Sequence, residues 1–168
     1  VPGAEVSRRL LANDLQLLAD VEEQIALADL EIEALLPQTP FGVLTSTPGW
    51  GSVRVANYGA AVGDPERWPG HRQLYRAAGL TPRLYESAGH RADGHITREG
   101  SVLLRVALVD LGTGLWHSEP VSRTYGAELR ARGKPGGIIL TAMAHRANKI
   151  AFAMVRDHKT WEPSRWAA

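Results

Sequence analysis

The chain has 168 residues, no cysteine, 44% hydrophobic residues and a formal net charge of +1. That is enough for one domain with an appendage around a buried core. The missing thiols exclude disulfides and thiolate metal sites and fit a cytoplasmic protein, while the lack of an apolar run near 18 residues or of a signal-peptide pattern leaves no expected membrane span or export. Charge is uneven: residues 1–40 carry two basic and eight acidic side chains, net −6, and residues 41–168 carry 17 basic and 10 acidic, net +7. This suggests an acidic helical arm and a basic body suited to nucleic acid. A first residue of Val rather than Met suggests a fragment or a processed chain.

Residues 7–36 have a helical pattern. Leu11, Leu18, Ile25 and Ile32 recur every seven residues, and Asp14, Val21, Ala28 and Leu35 fill the complementary positions, so seven of the eight seam positions are apolar. The spacing predicts one helix of about 30 residues, roughly 45 Å long. Leu10, Leu15, Leu17 and Leu27 widen the stripe, so the helix either pairs as a coiled coil or packs in a bundle or onto its own body. Pro37 and Pro40 break it. The expected division is an arm at 1–38 and a helical body at 39–168.

The stretch from Leu44 through Pro48-Gly49-Trp50-Gly51 into an amphipathic run is similar to a helix-hairpin-helix. In that motif glycines let the backbone approach a DNA phosphate at the second helix's N-terminus. Gly49, Gly51, Ser52 and Arg54 are the candidate contacts. The alternative is a packing turn with Trp50 in the core. Residues 71–78 read as a helix with Leu74, Ala77 and Ala78 inward and Arg72 and Arg76 sharing one face.

Beyond residue 97 the expected helix is capped by Thr97 or Ser101 and runs to about His117. It is apolar nearly all round and should be central to the core. Arg105 within it needs an anchor: a carboxylate such as Asp110 or Glu86, or a substrate phosphate. A helix at 121–132, a linker at 135–137 and a last helix at 138–157 follow. His145 and Lys149, four apart on that helix, either face a phosphate backbone or are plain surface residues. The tail is expected to dock loosely. Strand patterns are absent apart from a possible short hairpin around Tyr85 and residues 95–96, so the fold expected is mainly α. The histidines show no metal-ligand spacing, and neither a P-loop nor a GxSxG elbow occurs; no metal site is expected.

Residues 79–105 hold the densest chemistry. Ser87, flanked by Ala88 and Gly89, sits among Arg83, Arg91, Arg98, Arg105, His90 and His95. An accessible hydroxyl among guanidinium groups is what a phosphoryl-transferring serine needs; a basic loop with Ser87 as a turn residue or helix cap is the plainer reading. The ordered set Gly79-Leu80-Thr81-Pro82, Ser87-Ala88-Gly89, Arg91, Ile96-Thr97-Arg98, Gly100 and Leu104-Arg105 resembles the C-terminal domain of the DEDD-type insertion-sequence transposases. That family includes DNA invertases and RNA-guided bridge recombinases. Glu86 and Ala88 replace the serine and glycine often found beside the family's serine.

The resemblance implies Ser87 as a nucleophile on a DNA phosphodiester, with Arg91, Arg98 and Arg105 against the phosphorane charge; Ser101 is the competing hydroxyl. It implies DNA as partner, a guide RNA in the bridge-recombinase branch, and a coiled coil before this domain, hence a homo-oligomer. It places Mg2+ not in this fragment but on four carboxylates of a separate RNase-H-like domain. The alternative is a non-catalytic DNA-binding module with a dimerising coil.

Overall fold

A computed structural model describes residues 2–87 and 90–166, with side chains described for 3–83 and 95–166. Six α-helices and one two-stranded sheet make up the regular structure of these residues. Helix α1, Pro2–Leu35, is 34 residues long, about 51 Å. Its apolar seam is exposed, with Leu18 53% and Ile25 55% accessible. It does not pack along its length on its own body; only its last turns approach the rest of the chain, beside Thr39, Pro40 and Ala56. Pro37 follows as a 3-10 turn at Leu36–Gln38.

A second 3-10 turn, Gly42–Ser46, leads to α2, Ser52–Val62. Helix α3 spans His71–Ala77. The strands β1, Pro82–Ser87, and β2, His90–Ile96, pair antiparallel. Then come α4, Val102–Ser118, α5, Pro120–Ala131, and α6, Gly136–Asp157. The expected linker at 135–137 is shorter than anticipated, because α6 already begins at Gly136.

Helix α4 is the central element, as its all-round apolarity predicts. Leu104, Leu108, Leu111 and Leu115 are buried, and the helix packs mainly on α6, through Ala144, Ala147, Ile150, Ala151 and Met154, and on α2, through Val55 and Tyr58. Its first turn is different: Val102, Leu103 and Val106 face outward. Ser101 is its N-cap, with Oγ accepting from Leu104 N at 3.2 Å. This leaves one orphan amide satisfied and commits the hydroxyl of Ser101 to the helix. Helix α5 has a cap not anticipated, Glu119, which is 5% exposed and accepts from Val121 N at 2.9 Å and Ser122 N at 2.6 Å. Burial pushes its carboxyl up, but hydrogen bonds from Ser122 and Val121 and the nearby Arg146 outweigh this and hold it below the usual carboxylate range.

The tail, expected to dock loosely, docks through specific contacts. Trp161 N donates to Ser46 Oγ at 2.8 Å, the Trp161 and Trp166 rings stack, and Arg146 donates to the Trp166 carbonyl.

Candidate nucleic-acid interface and serine hairpin

The 79–105 motif folds as a hairpin on a clamped base. The C-terminal end of α3 leaves carbonyls without helical partners, and the chain returning from β2 takes them. Ser101 N donates to Ala77 O at 2.9 Å and Arg98 N to Gly79 O at 3.0 Å. The Arg105 guanidinium donates to Ala78 O at 3.0 Å. Arg105 is therefore anchored by a backbone carbonyl, while Asp110 pairs with Arg54; the side chain of Glu86, the other expected carboxylate, lies outside the described residues. Gly100, at φ +139, lies so close to α3 that an added Cβ would sit 3.0 Å from the Ala77 carbonyl carbon and closer still to its oxygen. Arg83 pairs with Glu99 at 2.7 Å across the same base.

From this base the strands run out in register, Pro82 opposite Ile96, Leu84 opposite Asp93, Glu86 opposite Arg91 and Ser87 opposite His90. One extra residue on β2 between the first two pairs makes a bulge, which bends and twists the ribbon. Ser87 is thus the last paired residue of its strand, five steps or about 17 Å from the Pro82–Ile96 pair. Arg98 and Arg105 stand at the base. The hairpin does not bring them to Ser87; of the three expected cations, only Arg91 is close to it in the ladder. The placement of Ala88 and Gly89, and the side chains of Ser87 and Arg91, lie outside the described residues. Ser87 as a helix cap is excluded by its place in β1, and His90 as its cross-strand partner was not singled out from the sequence.

The turn at 47–51 brings its own surprise. Gly49 does have a left-handed backbone, φ +80, but its close approach is internal: an added Cβ would lie 2.7 Å from the Gly114 carbonyl carbon and 2.6 Å from Ser118 Oγ. Trp50 is buried and its Nε1 donates to Leu111 O at 2.9 Å. Arg54 is engaged within the molecule, by Asp110 at 3.0 Å and by the Gly49 carbonyl. Gly51 and Ser52, at the start of α2, share a depression with Asp29, Glu33 and Asp110. A phosphate there would meet Asp29 and Glu33, and the one cation in the lining, Arg54, is already paired with Asp110. The first limb of the motif is moreover a five-residue 3-10 turn rather than an α-helix.

The remaining candidates do converge. Helix α3 lies against α6, held by Asn148 Nδ2 to His71 O at 2.6 Å and Tyr75 Oη to Thr141 O at 3.1 Å. The His71 and His145 rings meet edge-on at 6.3 Å, and His145 meets Tyr75 at 4.9 Å. Burial lowers the pKa of His71, and His145, Arg72, Lys149 and Arg156 add to the effect; burial lowers that of His145 too, with Lys149 and Arg72 beside it. Arg72, His145 and Lys149 therefore form one exposed basic face, with Arg76 one turn along α3. His71 and Arg156 belong to it and were missed, because no sequence spacing connects α3 to the far half of α6. Among the described residues no group of three or more His, Asp or Glu side chains is disposed to hold a metal ion, and no helix is long and apolar enough to cross a membrane.

The mainly helical body carries a transposase domain: residues 42–127 match the model of the transposase IS116/IS110/IS902 family. The chain belongs to that family. It is similar to the 43.6 kDa protein of insertion element IS110 from Streptomyces coelicolor, 32% identical over 96% of this chain and 40% of that protein. It is also similar to the 42 kDa protein of IS900 from Mycobacterium paratuberculosis, 29% identical over 98% of this chain and 42% of that one. The 44.8 kDa protein of IS116 from Streptomyces clavuligerus is 26% identical over 98% of this chain and 41% of its own length. The chain thus spans about two fifths of the curated relatives it matches.

Proposed function

We propose that this chain is the DNA-gripping and strand-transfer part of a longer transposase, with Ser87 as its nucleophile. The observation carrying this reading is the hairpin itself: a base clamped by Arg105, Gly100 and the end of α3, and a far end where Ser87 pairs with His90. Attack by the Ser87 hydroxyl oxygen on phosphorus forms an O–P bond as the bond to the 3′-oxygen breaks; the serine proton passes to a base, and the 3′-oxygen takes up a proton to leave as a hydroxyl. Arg91, nearest in the ladder, is the candidate for the phosphorane charge. Arg98 and Arg105 serve the clamp.

Arg72, Arg76, His145 and Lys149 hold backbone phosphates without reading bases. Phosphate contacts of that kind suit a guide RNA equally. The expected Mg2+ is proposed to bind DEDD carboxylates elsewhere in the longer protein. The exposed seam of α1 is proposed to pair with a second copy as a coiled coil. The 42–62 segment is proposed as a packing turn, supported by the internal engagement of Gly49, Trp50 and Arg54.

The test uses the full-length protein and a suicide substrate nicked near the crossover, resolved on denaturing gels with peptide mapping. Ser87→Ala should abolish the covalent adduct and leave DNA binding intact. An adduct mapping to Ser101, or cleavage by Ser87→Ala at the parent rate, overturns the assignment. Binding with no adduct in the parent favours the second reading, a non-catalytic DNA-binding module.

A further inference from the structure

Next to the basic face lies a groove of about 490 Å³, within the ~300–1,000 Å³ range of small-ligand clefts. Its walls include the rings of Phe41, Trp68 and Phe152, and its rim carries His71 and Arg156. Trp68 is fixed by its Nε1 donating to Val62 O at 3.1 Å, and Phe152 stands 6.4 Å from His71, ring centre to ring centre. Phe152 and Trp68 are half-buried, and the Arg67 guanidinium lies over the Trp68 ring at 4.8 Å, so Phe152 is the freer of the two rings. His71 joins the groove to the cations Arg72 and Lys149. Glu66 is the one acid among the lining residues; Arg156 on the same rim is paired with Asp157 at 2.7 Å, so among the described residues the unpaired cations beside the groove are Arg72 and Lys149 on the adjoining face.

We infer that this groove takes one unpaired base of a DNA strand whose phosphates lie along the basic face. The inference rests on the DNA-binding reading above and adds what that reading lacks, a site for a base. Aromatic walls beside a cationic rim match a nucleotide, which offers a flat π-face with an anionic phosphate on either side. The recess is far too small for a duplex, so only a base extruded from the stack can enter it. The base would stack against Phe152, with the flanking phosphates toward Arg72 and Lys149. Because every base has a π-face, the groove should accept all four with modest preference.

The test measures fluorescence anisotropy of the full-length protein with two labelled duplexes, one carrying a single bulged thymine and the other the same bulge without its base. The bulged thymine should bind roughly tenfold more tightly, the scale of one stacked base. Phe152→Leu keeps an apolar side chain of similar bulk but has no ring face, and it should erase this preference while melting near the parent. Lys149→Ala should weaken both duplexes alike. Equal affinity of the parent for the two duplexes overturns the base site alone. Retention of the preference by Phe152→Leu also overturns it. If neither duplex binds at all, the DNA-binding reading falls with it.

Discussion

Replacing Gly49 by alanine tests whether the 47–51 turn serves packing or DNA. At φ +80, a Cβ costs about 1–2 kcal/mol from left-handed backbone geometry. Forcing that carbon against the neighbouring helix costs about 1–3 kcal/mol more, and here the obstacles are the Gly114 backbone and Ser118 Oγ. The backbone cannot swing aside as a flexible side chain would, so about 3 kcal/mol is expected. For a domain of this size each kcal/mol shifts Tm by about 2–4 °C, which predicts a fall of roughly 6–12 °C in a far-UV circular dichroism melt. Gly51 is the internal control. Nothing lies within 4 Å of its added Cβ, and it occupies the N-cap of α2 at φ −71. Gly51→Ser should hold or slightly raise Tm, because serine is a good cap, and it should leave DNA affinity unchanged. Gly114→Ala strains the same contact from the other side, since its Cβ would sit 2.7 Å from an Arg54 nitrogen; combined with Gly49→Ala it should cost less than the sum of the two. A Gly49→Ala protein melting within about 2 °C of the parent would refute the packing argument, and so would a Gly51→Ser protein that binds DNA several-fold more weakly.

Two other perturbations probe the arm and the histidines. Leu18→Asp with Ile25→Asp should convert a dimer to a monomer in sedimentation without lowering the Tm of the body, because both side chains point away from it; an unchanged mass would remove the coiled-coil proposal. Lowering the pH from about 7.5 to 5.5 crosses the ordinary histidine range near 6.5 and should move stability and binding in opposite directions. His71 and His145 have lowered pKa values in the fold. The unfolded chain therefore takes up protons first, and the stability these rings contribute above the ordinary value is lost as the pH falls below it. Bound phosphates favour the charged rings, so DNA affinity at fixed salt should rise. A Tm that rises on acidification, or an affinity unchanged between the two pH values, would contradict this account.

Where one element carries the whole signal, the sequence was sufficient. The α1 helix and the core role of α4 are set by periodicity, and each appears where its pattern placed it; of the two expected caps of α4, Thr97 and Ser101, Ser101 is the one used. The hairpin was only half legible. Residues 90–95, His-Arg-Ala-Asp-Gly-His, have weak strand propensity and no clean alternation, and they pair because the clamp at the base brings them back along β1. For Arg105 a carboxylate or a phosphate was expected as anchor, and the carbonyl end of α3 is a partner with no mark in the sequence. Of the two glycines expected to accept a close approach, Gly51 has nothing within 4 Å of an added Cβ, and Gly49 does accept one. What approaches it, Gly114, is 65 positions away and has no local signature. The basic face was visible only in halves, since α3 and α6 are joined by Asn148 and Tyr75, contacts that leave no spacing in the chain.

The clamp turns the hairpin into a ruler. With its base fixed to α3 and α4, the height of the outer pair above the body is counted in strand residues, about 3.3 Å for each. Lengthening both strands by two residues would lift that pair by about 6.6 Å and keep its facing, whereas adding one residue to each would turn every side chain beyond it to the opposite face. Such a device admits only discrete settings, so related chains should differ in hairpin length by even steps, with the Gly79, Gly100 and Arg105 junction unchanged beneath.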